Sequence, residues 1–144
     1  MAIKLNHIGF VVQGIAEAAR LFRTLGLHEV TPMEPDPIQK VVACFMGTGD
    51  EGEAHIELLE PAGDDSPIAN FLKKRGGGLH HICFEVDDID RMTDDLIQRG
   101  HKVVVPPIDC VGYDRSFKRE TAGGTKIAFF FLADKILIEL LQKG

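Results

Sequence analysis

The feature that most constrains this chain is an internal repeat. Leu5-Asn6-His7-Ile8-Gly9-Phe10-Val11-Val12 matches Leu79-His80-His81-Ile82-Cys83-Phe84-Glu85-Val86, 74 positions further on. The register continues without a gap, pairing Ile15 with Ile89, Ala18 with Met92, Phe22 with Leu96, Gly26 with Gly100 and Val30 with Val104. Such a repeat means that one supersecondary unit is used twice about a shared core.

Each copy opens on a strand-like run and passes into a helix. Ile15, Ala18, Ala19, Phe22 and Leu25 recur at steps of three and four residues, as do Ile89, Met92 and Leu96, so each segment presents one apolar face. Asp87 and Asp88 are candidate N-caps of the second helix, and Gly26 and Gly100 stand where a left-handed C-cap is favoured. Further strand-like runs follow, roughly 41–46 and 54–59 in the first copy, 126–132 and 136–141 in the second. Each half therefore reads βαβββ. His55-Ile56-Glu57-Leu58-Leu59-Glu60 parallels Leu137-Ile138-Glu139-Leu140-Leu141-Gln142, now 82 positions apart. The second copy thus carries extra residues, placed most simply in a long loop over 106–124. Between the copies, Ser66 to Arg75 predicts a short helix with Ser66 as cap, Pro67 at its first position and glycines ending it. We expect one α+β domain over 1–144: module one about 1–61, a linker helix about 62–77 and module two about 78–144.

Composition narrows the partners. The chain has 144 residues, 44% of them hydrophobic, with no apolar run approaching a membrane span. Met1-Ala2-Ile3-Lys4 runs directly into strand pattern, leaving no space for a cleavable leader, so a cytoplasmic location is expected. Cys44, Cys83 and Cys110 are odd in number and lack CxxC spacing, which argues against disulfides and a thiolate metal site. A formal charge of −6 without a basic stripe argues against nucleic acid as a partner.

Strand alternation places His7, Gly9 and Val11 on one face and Ile8, Phe10 and Val12 on the other, toward the helix. By the same rule Glu57 shares a face with His55 and Leu59. An ionised Glu within an apolar strand costs several kcal/mol to bury unless paired or metal-bound. Here that costly choice is made at Glu57 and again at Glu139, each in register with a His, at His7 and His81. Two imidazoles and two carboxylates suit a divalent ion if the modules pair into one curved, half-barrel-like sheet. His80 aligns with Asn6 and, by period-two alternation, is expected to face away from His81, toward the helix side.

These repeated His and Glu strands resemble the glyoxalase and extradiol dioxygenase superfamily, the vicinal oxygen chelate proteins. Within it, the runs 55–61, 65–72 and 78–89 are most similar to the methylmalonyl-CoA epimerase branch. The resemblance implies a divalent metal, Co, Zn, Ni or Mn, on His7, Glu57, His81 and Glu139. It also implies an isomerase that moves the proton beside a thioester carbonyl, with Glu139 as ligand and base. Glu57 and His55 are the candidates on the opposite face. The implied substrate is an acyl-CoA such as methylmalonyl-CoA, and the implied assembly is a homodimer. Lys73, Lys74 and Arg75, with Arg115, Lys118 and Arg119, are candidate contacts for CoA-like phosphates. The chain departs from the epimerase pattern in lacking a His-Pro-Lys turn before the last strand and in carrying Val111 to Glu120. The same ligands would equally serve a glyoxalase-type lyase acting on a glutathione hemithioacetal. A noncatalytic small-molecule-binding protein of this fold is a third reading, against which the retained carboxylates count.

Overall fold

In the first copy, strand β1 (Lys4–Val11) leads into helix α1 (Ile15–Thr24) and four strands, β2 (His28–Glu29), β3 (Glu34–Asp36), β4 (Val41–Gly47) and β5 (His55–Pro61). Helix α2 (Ala69–Arg75) crosses to the second copy: β6 (Gly78–Glu85), α3 (Ile89–Gln98), β7 (Lys102–Asp109), α4 (Val111–Ser116), β8 (Lys126–Ala133) and β9 (Ile136–Gln142). This computed structural model describes residues 3–50 and 52–144. Met1 and Ala2, on which the expected lack of a leader partly rests, lie outside that range, as does Glu51. The strands form one mixed, curved sheet in the order β2-β4-β5-β1-β6-β9-β8-β7, with β3 also paired to β4. No helix among the described residues is long and apolar enough to cross a membrane.

The two copies meet at the antiparallel pair β1–β6, and each lays its own last strand parallel to its first, β5 beside β1 and β9 beside β6. Alternation then sorts the side chains as the pattern requires. Phe10, Val12, Ile56 and Leu58 pack with Ile15, Ala18, Ala19 and Phe22 of α1, while Val11 and Leu59 point to the other face. In the second copy Met92 and Leu96 of α3 pack on Ala128, Phe130, Ile138 and Leu140. Burying a side chain such as Leu58 or Ile15 contributes roughly 1.5–3 kcal/mol, so these two clusters pin the helices to the convex face.

The helix ends are tied to their own modules. Asp88, not Asp87, caps α3 by accepting from the Arg91 amide. Helix α1 has no side-chain cap of its own at Gly14, and the Ile15 amide instead donates to Glu60 Oε2 at 3.1 Å. In the second copy the Ile89 amide donates to Gln142 Oε1 at 2.8 Å. Glu60 and Gln142 occupy the same repeat position, so each module's last strand satisfies an orphan donor of its helix.

Three expectations are corrected. The segment 106–124 is not one long loop: β7 continues through Asp109, and α4 follows after Cys110. Asp114 holds that helix in place, its Oδ1 accepting from Thr125 Oγ1 at 2.6 Å and its Oδ2 from the amides of Gly124 and Thr125 at 3.1 and 3.2 Å. The linker helix begins at Ala69, not at Pro67, because Ser66 to Ile68 close a preceding turn in which the Ala69 amide bonds the Ser66 carbonyl. It ends as expected on Gly76 in the left-handed conformation, φ 72°. The third correction concerns His80 and belongs to the site.

Candidate metal centre

The four repeated residues converge at the middle of the concave face. His7 and His81 come from the central strands β1 and β6, Glu57 and Glu139 from the flanking strands β5 and β9. In each module the Glu lies opposite the residue two positions past the His: Glu57 beside Gly9, Glu139 beside Cys83. His7 Nε2 lies 3.1 Å from His81 Nε2, 3.2 Å from Glu57 Oε1 and 2.9 Å from Glu139 Oε1. His81 Nε2 lies 3.3 and 3.1 Å from the same two carboxylate oxygens. All four residues are buried, and one ligand atom from each falls within 4.8 Å of all the others.

Hydrogen-bond chemistry establishes what this cluster lacks. Asn6 Nδ2 donates to the Glu85 carboxylate at 3.1 Å, so its Oδ1, 2.7 Å from His7 Nδ1, must accept. His7 therefore carries its proton on Nδ1 when neutral, and Nε2 turns a bare lone pair toward two carboxylates and another ring nitrogen. Glu139 Oε1 is buried without a hydrogen-bond donor. Four converging acceptors are relieved by a bound cation or, without one, by protons on the imidazoles. Donor atoms about 2.1 Å from a shared ion lie about 3.0 Å apart when their bonds meet at right angles and about 3.4 Å apart when tetrahedral. The observed spacings of 2.9–3.3 Å fit a divalent ion.

The electrostatics point the same way. Burial, the largest influence on both imidazoles, disfavours their charged forms. At His7 it is outweighed by Cys83, Glu57 and Glu139, and at His81 by the two carboxylates, so both pKa values rise. Burial also opposes ionisation of Glu57 and Glu139, yet the facing imidazoles hold both below the ordinary carboxylate range.

Packing sets the rings in place. Phe45 meets His7 edge-on at 5.2 Å between centroids, and Phe129 meets His81 edge-on at 5.5 Å. Gly9 lies across from His81, and a Cβ there would fall on the imidazole ring, so glycine leaves the space His81 occupies.

His80 does not face the helix side. The β1–β6 register pairs Gly9 with His81 and Phe10 with Leu79, leaving His80 as the extra residue of a bulge, and a second irregularity leaves Asn6 likewise between Leu5 and His7. A bulge breaks period-two alternation and re-aims a side chain. His80 Nδ1 lies 2.8 Å from His81 Nδ1, as Asn6 bonds His7. Burial, then the neighbouring His81, lowers the His80 pKa to about 4, so this ring is neutral near pH 7.

The quartet lines the wall of a cavity of about 270 Å³, together with Val41, Leu59, Ile68, Phe129 and Leu137. Residues with no individual signal in the sequence also line it: Glu34 and Asp36 of β3, and Tyr113 and Ser116 of α4. Asn6 was detectable only as the repeat partner of His80. His55 shares the strand face of Glu57 but stacks on Phe117 at 5.6 Å and lines a separate cleft. Arg119 bonds the Gly144 carbonyl, whereas Lys73, Lys74 and Arg75 are exposed in the last turn of α2, where cations complement the helix dipole. The three cysteines are free.

Comparison with known proteins places this geometry. The chain is 36% identical over 104 residues to the mitochondrial methylmalonyl-CoA epimerase of Dictyostelium discoideum, covering 72% of this chain and 61% of that one. It is 41% identical over 103 residues to ethylmalonyl-CoA/methylmalonyl-CoA epimerase of Cereibacter sphaeroides, covering 70% and 74%. A solved structure of methylmalonyl-CoA epimerase in complex with methylmalonyl-CoA and NH4+ superposes with a TM-score of 0.80 at 26% identity, covering 100% of this chain and 96% of the other. The chain spans less than two thirds of the Dictyostelium relative's length. Residues 6–129 match the family model of the glyoxalase/bleomycin resistance protein/dioxygenase superfamily, and the chain belongs to that superfamily.

Proposed function

We propose that this protein is a metal-dependent epimerase of an acyl-CoA thioester such as methylmalonyl-CoA. The observation that carries the reading is the buried quartet opening onto a largely apolar cavity, with its two carboxylates on opposite flanks of the two imidazoles. The epimerases among its relatives supply the substrate class.

A divalent ion on His7, Glu57, His81 and Glu139 would supply Lewis-acid stabilisation to the developing enolate oxygen, worth several kcal/mol. The chain's own groups account for the rest. Glu139, the base that the family resemblance implies, takes the α-proton. Glu57 approaches from strand β5, separated from β9 by the two strands β1 and β6, and serves the opposite face. Cavity walls such as Val41, Leu59 and Phe129 exclude water that would otherwise quench the carbanion. The exposed Lys73, Lys74 and Arg75 are assigned to the CoA phosphates. A homodimer and a cytoplasmic location complete the proposal, the dimer resting on the family resemblance and testable by light scattering.

Purified protein loaded with Co²⁺ or Zn²⁺ is incubated in deuterated solvent with methylmalonyl-CoA and, separately, with the hemithioacetal of methylglyoxal and glutathione. Deuterium entering the α-position of methylmalonyl-CoA with inversion supports the epimerase. Turnover of the hemithioacetal alone replaces it with a glyoxalase-type lyase, and inert but metal-loaded protein excludes both.

A further inference from the structure

Asn6 and His80 occupy the same position of the repeat, both sit in bulges of the β1–β6 pair, and both reach the Nδ1 of the following histidine, at 2.7 and 2.8 Å. An asparagine suffices for that task in module one, so the histidine in module two requires a separate explanation. The chemistry of the ring supplies one. For His81 Nε2 to hold a cation, its proton must sit on Nδ1 and be donated outward. The acceptor is His80 Nδ1, which places the remaining His80 proton on Nε2, at the opposite edge of the ring. The His80 ring lines the cavity beside the quartet and is held edge-on to Phe71 at 5.1 Å. No protein group among the described residues accepts a bond from its Nε2. The cavity lining contains no Lys or Arg, while Glu34, Asp36, Glu57 and Glu139 all contribute acceptors. An anionic substrate group entering this space meets few donors.

We propose that His80 is a two-sided positioning residue: its Nδ1 fixes the His81 tautomer, and its Nε2–H is a specificity-determining donor to a carboxylate oxygen of the substrate. The substrate half rests on the epimerase reading, since a malonyl-type acyl group carries a free carboxylate. The tautomer half rests on the hydrogen-bond geometry alone.

The test combines three measurements on full-length protein. Nitrogen-15 NMR of the zinc-loaded protein is expected to find His80 as the Nε2–H tautomer, and a proton on Nδ1, alone or in addition, overturns the assignment. His80→Asn recreates the module-one arrangement, keeping the inner acceptor while withdrawing the donor from the Nε2 position, since the remaining amide N–H sits on a shorter side chain. It is expected to leave zinc affinity within about threefold and to raise KM for methylmalonyl-CoA about tenfold with kcat little changed. His80→Gln, whose amide mimics the outer nitrogen, is expected to do the converse and weaken zinc about tenfold. An unchanged KM in His80→Asn overturns the donor role, and unchanged zinc affinity in His80→Gln overturns the tautomer role. Wild-type protein that neither binds nor turns over methylmalonyl-CoA removes the epimerase reading and the substrate half together. The NMR and zinc measurements decide the tautomer half independently.

Discussion

Removing the metal is the perturbation with the clearest expected size. Four acceptors packed at 2.9–3.3 Å cannot stay mutually unprotonated without a cation. The metal-free protein must therefore recruit protons, and the raised values at His7 and His81 are that recruitment. A ligand that binds only the folded state at a thousandfold excess over its Kd stabilises it by about 4.1 kcal/mol. For a chain of this length each kcal/mol moves Tm by about 2–4 °C, so zinc or cobalt should raise Tm by about 8–16 °C. The pH dependence has a fixed sign. Groups whose folded pKa is raised stabilise the metal-free fold fully below the unfolded value of 6.5, and lose that contribution as pH rises through the folded value. Metal-free Tm should thus fall above about pH 6.5, and the shift produced by metal should be larger at pH 8.5 than at pH 6. Scanning calorimetry of chelator-treated and reloaded protein at the two pH values measures both. A metal-induced shift below about 2 °C at both pH values, or one that shrinks with rising pH, refutes the reasoning.

Three further substitutions probe separate parts of the structure. Gly9→Ala places a methyl group on the His81 ring, so zinc affinity measured by competition should fall at least about tenfold while the far-UV circular dichroism is retained. Glu139→Gln keeps an oxygen toward the cluster but removes basicity, and solvent deuterium exchange into methylmalonyl-CoA should drop about a hundredfold or more at matched metal content. Asp114→Ala removes three hydrogen bonds that hold α4 to the start of β8, and denaturant unfolding should register a loss of about 2–4 kcal/mol.

How much of this was legible in the sequence depends on which features repeat. The gapless match between residues 5–12 and 79–86 exposed His7 and His81. The costly carboxylates in Ile56-Glu57-Leu58 and Ile138-Glu139-Leu140 marked their partners, because a buried charge in an apolar strand demands an explanation. The bulges were not legible. Period-two alternation is a rule about regular strands, and nothing in Leu79-His80-His81 announces that the β1–β6 ladder skips a residue there. Helix α4 was hidden for a different reason. Val111 to Ser116 is too short to show helical periodicity, contains Gly112, and owes its position to Asp114 bonding Gly124 and Thr125, contacts that no local window contains.

Those two failures lie where the copies stop being equivalent, and both act on the cavity. The first strands differ at Asn6 and His80, which perform the same inner task and present different outer edges. The second copy's extra length becomes α4, and that helix packs back onto module one: the space a Cβ on Gly112 would need is filled by Asp36 of β3, and Cys110 Sγ lies 3.7 Å from Asp36 Oδ2. Tyr113 and Ser116 thereby line the cavity together with residues of β3, β4 and β5. The symmetric positions supply the four ligands, because an ion between equivalent strands can be held by equivalent residues. A substrate with a thioester at one end and a carboxylate at the other has no such symmetry, and the residues that distinguish its ends must come from where the repeat diverges. The specific substitutions His80→Asn, Tyr113→Phe and Ser116→Ala should therefore change acyl-chain preference while zinc affinity stays within about threefold, a separation that parallel zinc titrations and acyl-CoA competition assays would expose. Loss of metal in step with loss of acyl discrimination across all three would show that ligand set and substrate wall are not separable in this fold.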